Sequence, residues 1–201
     1  MLEHLIANGI VVRQDAEGVQ MKTKTQPAGQ ANRTVTYAYK IIPSPVGDLR
    51  LVANDEALIA VLWENGRSKP MRLGNLVQND HHPVLLETER QLKEYFRGKR
   101  KAFSLKLELI GTKFQKDVWE MLLAIPFGET RSYGELARQL GNPRATRAVG
   151  AANGRNPIPI VVPCHRVIGA SGKLTGFGGG LNVKAHLLEL EGDKTLLTNA
   201  G

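Results

Sequence analysis

The sequence predicts an α+β protein: a small N-terminal antiparallel sheet with one helix, then a mainly helical C-terminal domain containing a helix-turn-helix. Three observations predict it. Short β-branched and apolar runs crowd residues 34–63. From Thr112 onward apolar residues recur at helical spacing instead. At 201 residues the chain has room for one or two domains. The reading divides it into an extension (1–33), an N-terminal α+β domain (34–109) and a C-terminal domain (110–201).

Residues 19–33, VQMKTKTQPAGQANR, are polar and aperiodic, which predicts a flexible extension. TVTYAYKII, starting at Thr34, has strand composition and is punctuated by Pro43 and Pro45. DLRLVAN and ALIAVLWEN flank Asp55-Glu56 and predict a hairpin. Residues 65–82 are polar and read as a loop. Pro83 suits the first turn of a helix to about Arg97, with Leu85, Thr88, Leu92, Tyr95 and Phe96 near 3.6 spacing. Residues 102–109 alternate and predict a fourth strand. Thr112 is the expected N-cap of a helix whose inner face is Phe114, Val118, Met121, Leu122 and Ile125. Pro126-Phe127-Gly128 ends it. Ser132 caps the next helix, with Tyr133, Leu136, Ala137 and Leu140 inward. After the turn Gly141-Asn142-Pro143, Ala145, Ala148, Val149 and Ala152 match the same template. Two short helices about such a turn fit a helix-turn-helix, and equally an ordinary helical hairpin.

Composition excludes several classes. The single Cys164 rules out an internal disulfide framework and a multi-cysteine zinc site, and suggests a reducing compartment. No apolar run approaches the ~20 residues of a membrane helix, and the start does not read as a signal peptide. The net charge of +8 hints at a polyanionic partner. The excess is concentrated: residues 131–173 hold seven Lys or Arg against Glu135 alone. If the second helix of the pair buries its predicted face, the opposite one presents Arg147, Gly150, Ala151 and Gly154, flanked by Arg144 and Arg155. One arginine above a floor of glycine and alanine reads little sequence. It fits docking indifferent to sequence, in the minor groove, with Arg147 as the probe. A solvated basic face is the plainer reading.

Cys164 lies in IVVPCHRVI, where an inert core cysteine is the first expectation. Against this, Pro163 forces a bend, and His165 and Arg166 supply a base and a cation, which lower a thiol pKa. Glu189 and Glu191 are candidate carboxylates to orient the imidazole. On residues alone the thiol could hydrolyse, acylate, sense redox state or accept an alkyl group.

The run Pro163-Cys164-His165-Arg166 resembles the active-site signature of the O6-alkylguanine-DNA alkyltransferases, or methylated-DNA–protein-cysteine methyltransferases. The likeness extends over residues 112–192, through SYGE, RAVG, NPIPIVVPCHR and the closing Glu-Gly pair. It implies repair by irreversible transfer of the alkyl group from O6-alkylguanine, and O4-alkylthymine, to Cys164. The base is flipped out through the minor groove. It further implies His165 as base through a water, Glu191 orienting it, and Asn156 holding the loop before the cysteine. Tyr133 would bond guanine N3 and press on the flipping phosphate. Arg147 would fill the vacated stack, with Arg144, Ala148, Gly150 and Ala151 against DNA. Pro159, Val167, Phe177 and Gly178 would line the pocket, with loop amides toward O6. The implied partner is double-stranded DNA carrying O6-alkylguanine, met by a monomer, with cooperativity on DNA left open. No cofactor, metal or membrane is implied. The expected location is the cytoplasm, at the nucleoid in a prokaryote, or the nucleus in a eukaryote.

Some features depart from that family's pattern. No N-terminal cysteines exist for the zinc some members hold, so His4, His81 and His82 read as surface or capping residues. Phe177 stands where tyrosine is frequent. A lesion sensor that only binds DNA and a cysteine hydrolase are the alternatives. The first has no need of the Cys164-His165-Glu191 set, and the second would turn over repeatedly.

Overall fold

The computed structural model describes residues 35–64 and 73–192. The extension 1–33, His4, residues 65–72 of the expected loop and residues 193–201 lie outside them. Strands β1 (Thr36–Ile42), β2 (Leu49–Ala53) and β3 (Leu58–Trp63) form an antiparallel meander. The β2–β3 turn is closed by Asn54, whose Oδ1 accepts from the amides of Glu56 at 3.0 Å and Ala57 at 2.7 Å.

Two sequence expectations fail here. The fourth strand, β4 (Asn75–Gln78), comes from the stretch read as loop and pairs in parallel with β1, so the order is β3-β2-β1-β4 and the sheet is mixed. As an exposed edge strand, β4 buries too little apolar surface to announce itself. Residues 102–109 form no strand. Their alternating burial is real, but among the described residues their backbone pairs with β3 at the one bridge Leu58↔Leu107. Gln91 instead takes the amide of Ser104 at 2.9 Å, diverting the backbone from a ladder.

Helix α1 (Pro83–Phe96) packs on the sheet through Leu85, Thr88, Leu92 and Tyr95. His82 holds its N-cap position without a side-chain hydrogen bond, and His81 is exposed. Helix α2 (Lys113–Leu123) opens on a capping box of Thr112 and Gln115, and buries Val118, Trp119 and Leu122. Phe114 does not face inward but is 38% exposed, because a first-turn side chain on that side overhangs the core. Strand β5 (Arg131–Ser132) leads into α3 (Tyr133–Gln139), capped by Ser132 and Glu135.

The helix-turn-helix turn is a 3₁₀ segment, Pro143–Ala145, before α4 (Thr146–Asn153). That tighter turn shifts the phase of the following helix. Val149, Ala152 and Asn153 are buried, Ala145 is half-buried, and Ala148, expected inward, is exposed. Strand β6 (Val167–Ile168) pairs with β5, and α5 (Leu181–Leu190) closes the domain. One apolar core runs from Leu49, Leu51 and Trp63 of the sheet to Val118, Leu136, Val162 and Leu187 of the helical half. The two halves thus stabilise each other by burying common surface. Among the described residues no helix is long and apolar enough to cross a membrane.

Candidate active site

The segment from α4 to Cys164 is fixed by backbone bonds to side chains. Asn156 Nδ2 donates to the Val162 carbonyl at 2.7 Å, and its Oδ1 accepts from the Ile158 amide at 3.0 Å. The free edge of β3 grips the same loop, with Val61 N–H donating to the Pro157 carbonyl at 2.9 Å. Between these clamps Ile160 holds φ at +75°, a conformation that costs a β-branched residue of order 1–3 kcal/mol. Pro163 turns the chain, and Cys164–Arg166 form one 3₁₀ turn.

That turn drives three consecutive side chains into the interior, all less than a tenth exposed. His165 Nε2 lies 2.9 Å from Glu191 Oε1. Arg166 donates to the same carboxylate through Nε at 2.8 Å and Nη2 at 3.0 Å, and through Nη1 to the Ile125 carbonyl. Tyr95, from α1 of the other half, donates its hydroxyl to Glu191 Oε1 at 2.7 Å, and the Gly128 amide reaches Oε2 at 3.3 Å. Burial works against ionisation of Glu191, but the hydrogen bonds from His165 and Arg166 and the charge of the Arg166 guanidinium overcome it, holding the carboxyl at about 2. Burial pushes the His165 pKa down against the pull of Glu191. A neutral imidazole with its proton on Nε2 leaves Nδ1 as a basic nitrogen. Nδ1 is buried and has no hydrogen-bond partner among the described residues.

The expectation of a depressed thiol pKa is overturned. Burial raises Cys164 to about 11, against weaker lowering by Asn156 and Lys184. Arg166, counted as an activating cation and as part of the basic surface, is spent on Glu191. At neutral pH the thiol is protonated. The resting cysteine is therefore protected, and ionises only when a base accepts its proton. Lys184 is buried with its ammonium on the carbonyls of Val167 and Thr175, the latter at 2.8 Å, and burial brings its pKa down to about 8.

Cys164 opens on a cavity of about 390 Å³, within the range of small-molecule sites. Asn153, Asn156, Pro159, Phe177 and Gly178 line it, with Trp119 from α2 and Trp63 from β3. Of the expected pocket residues, Pro159, Phe177 and Gly178 are there. Val167 is buried in β6 and does not line it. Tyr133, half-buried at the start of α3, sits within 3.4 Å of the Thr175 hydroxyl, and burial raises its pKa, so it remains a proton donor. It packs on α4 where Gly150 has no side chain, since a Cβ there would lie 3.7 Å from the ring. On the outer side of α4, Arg144, Arg147, Ala148, Ala151 and Arg155 are exposed and Gly150 is half-buried.

Comparison with known proteins places this arrangement. The profile of the 6-O-methylguanine DNA methyltransferase DNA-binding domain matches residues 113–193, and that of the same enzymes' ribonuclease-like domain matches residues 37–109. The chain belongs to the 6-O-methylguanine DNA methyltransferase family. Its class of reaction is therefore repair of DNA by methyl transfer to a protein cysteine. It is 51% identical to the methylated-DNA–protein-cysteine methyltransferase of Methanosarcina acetivorans, over 77% of this chain and 97% of that one. It is 52% identical to the Mycobacterium leprae enzyme of the same name, over 76% and 91%. The fold matches the crystal structure of Mycobacterium tuberculosis OGT in complex with DNA, with TM-score 0.70 and 48% identity over 78% of this chain and 92% of that one.

Several site residues of this methyltransferase escaped sequence reasoning, Lys184, Asn153, Tyr95, Trp63 and Trp119 among them. Lys184 was findable, because it falls on the stripe Val183, Lys184, Leu187, Leu188, and a lysine inside an apolar stripe is a signal. Asn153, whose Nδ2 donates to the Cys164 carbonyl at 3.4 Å, falls on the buried side of α4 only once the phase is corrected. Tyr95 and Trp63 looked like core of the N-terminal half, and nothing local links them to a cysteine about seventy and a hundred residues away.

Proposed function

We propose that the chain accepts the alkyl group of O6-alkylguanine in double-stranded DNA irreversibly on Cys164. The observation that carries this reading is a buried cysteine opening on a cavity, next to a buried histidine hydrogen-bonded to a buried glutamate. A flipped base enters the cavity. The thiol proton passes through a water to His165 Nδ1, and Glu191 stabilises the imidazolium that forms. The sulfur attacks the alkyl carbon in line, the carbon–O6 bond breaks, and its electron pair goes to the purine. Tyr133 donates a hydrogen bond to N3 and amides of the loop near Gly178 donate to O6, so the purine leaves as a stabilised anion, and the proton held on His165 then passes to it. The products are a thioether and guanine. A thioether offers no leaving path, so each molecule reacts once.

Arg147 enters the stack in place of the flipped base. Arg144, Ala148, Gly150 and Ala151 allow close approach to the minor groove without reading sequence. The relative solved with DNA supports DNA docking, and the protein works wherever the cell keeps its DNA. O4-alkylthymine fits the same chemistry, since displacement there also leaves a pyrimidine oxyanion. A lesion sensor would not need the Cys164-His165-Glu191 set.

Intact mass spectrometry after incubation with duplex containing O6-methylguanine tests the reading. Cys164 gains the mass of one CH₂ unit in a reaction that stops at one equivalent, while Cys164→Ala gains nothing yet binds the duplex. An unmodified native protein that binds lesion DNA would refute alkyl transfer.

A further inference from the structure

The cavity beside Cys164 is not made by the catalytic half alone. Trp63 is the last residue of β3, 4% exposed, and it lines the cavity together with Pro159 and Cys164. Its ring meets Phe177 edge-on, with centroids 5.5 Å apart and planes at 75°. Phe177 in turn meets the His165 ring edge-on at 6.5 Å. Behind the loop the fit is closer still. A Cβ on Gly179 would lie 2.8 Å from the Trp63 ring carbons Cε2 and Cζ2. The indole therefore occupies the space into which the loop 176–180 would have to retreat to admit a larger substituent. The indole itself cannot withdraw easily. β3 is paired with β2 through Leu49↔Trp63, and its other edge is bonded to the cavity loop at Pro157.

We infer that Trp63, contributed by the N-terminal sheet, is a specificity-determining residue that limits the size of the O6 substituent accepted at Cys164. This rests on the alkyl-transfer reading above. The three glycines 178–180 would otherwise make this wall compliant, since glycine carries no side chain to hold the loop in place. Trp63 replaces that lost rigidity from outside the loop, with a flat ring that has only two side-chain torsions. A methyl group fits against Cys164 without displacing the wall, and a benzyl group must push Phe177 and Gly179 back against the indole. Apolar walls discriminate by roughly 10–200-fold for a single methylene, so a whole ring is well within reach of such a device.

The test compares single-turnover rates on duplexes carrying O6-methylguanine and O6-benzylguanine for the full chain and for Trp63→Phe, Trp63→Leu and Trp63→Ala. The expected result is a benzyl-to-methyl rate ratio that rises as the side chain shrinks, by about tenfold or more for Trp63→Ala. A purely structural tryptophan would slow both reactions together and leave the ratio alone. A ratio constant within twofold across the variants, or one that falls, overturns the inference. If Trp63→Ala fails to fold, the Phe and Leu variants decide by the same ratio. If the unmodified chain transfers neither group, the alkyl-transfer reading has failed first. A flat ratio with active protein removes the role of Trp63 alone.

Discussion

The carboxylate of Glu191 and the outer face of α4 are built in opposite ways. Glu191 is 5% exposed and receives hydrogen bonds from four residues on three separate stretches of chain: Tyr95, Gly128, and the adjacent pair His165 and Arg166. The outer face of α4 consists of exposed Arg147, Ala148 and Ala151, and no ion pair to a described residue holds Arg147. The first region is assembled before any substrate arrives, with its charges paired and its geometry fixed. The second is left bare, as the proposed docking onto phosphates and an opened base stack requires. The difference shows where preorganisation serves this chemistry. Proton transfer from a thiol held near 11 needs a base already in position. Docking that must accept any sequence needs a surface that commits to none.

The contrast can be broken from the Glu191 side first. Glu191→Gln leaves Arg166 as a buried unpaired cation, so unfolding free energy in urea falls by about 3–5 kcal/mol and methyl transfer is lost with it. A change under about 1 kcal/mol would mean the network is ornamental to the fold. Next comes acid. Glu191 is ionised in the fold down to about 2, against 4.5 for the free group. Its pKa is lowered on folding, so its contribution is complete above pH 4.5 and disappears as pH falls from 4.5 to about 2. Denaturant midpoints across that window should show a loss of up to about 3 kcal/mol that Glu191→Gln does not show.

Arg147→Ala addresses the other region. Stability stays within about 0.5 kcal/mol, since an exposed side chain is removed. Transfer from duplex DNA slows by roughly tenfold or more, about 1.4 kcal/mol of barrier, while reaction with free O6-benzylguanine base keeps its rate. Equal slowing of both substrates would remove Arg147 from base flipping. The smallest effect belongs to Ser132→Ala at the start of α3, where losing the cap costs about 1 kcal/mol in denaturant. Because Tyr133 follows directly, duplex repair should slow slightly more than free-base reaction. The reverse order would separate Tyr133 from DNA.

Local signals were legible where one segment supplies both the pattern and its reason. Thr112 and Ser132 announced their helices because a cap bonds within its own first turn. The Asp55-Glu56 hairpin was visible because strand alternation and turn chemistry are neighbours in the chain. Legibility failed at β4, whose pairing with β1 lies across more than thirty residues, and at 102–109, where alternation met the edge of β3 at one bridge while the Ser104 amide bonded to Gln91 instead. The α4 phase failed because a 3₁₀ turn intervened.

The site divides along the same line. Sequence by itself determined the family, through Pro163-Cys164-His165-Arg166 and its flanks, and with it the nucleophile and base that the proposed function assigns. Tertiary structure alone decided the ionisation states. A neighbour in sequence suggested that Arg166 would acidify the thiol, whereas folding turned the guanidinium to Glu191 and buried the sulfur, so the pKa rose. Only the fold brought Tyr95 and Trp63 to the catalytic half. Electrostatic environment and cavity shape depend on what lies within a few ångströms in space, and the order of residues along a chain does not record that distance.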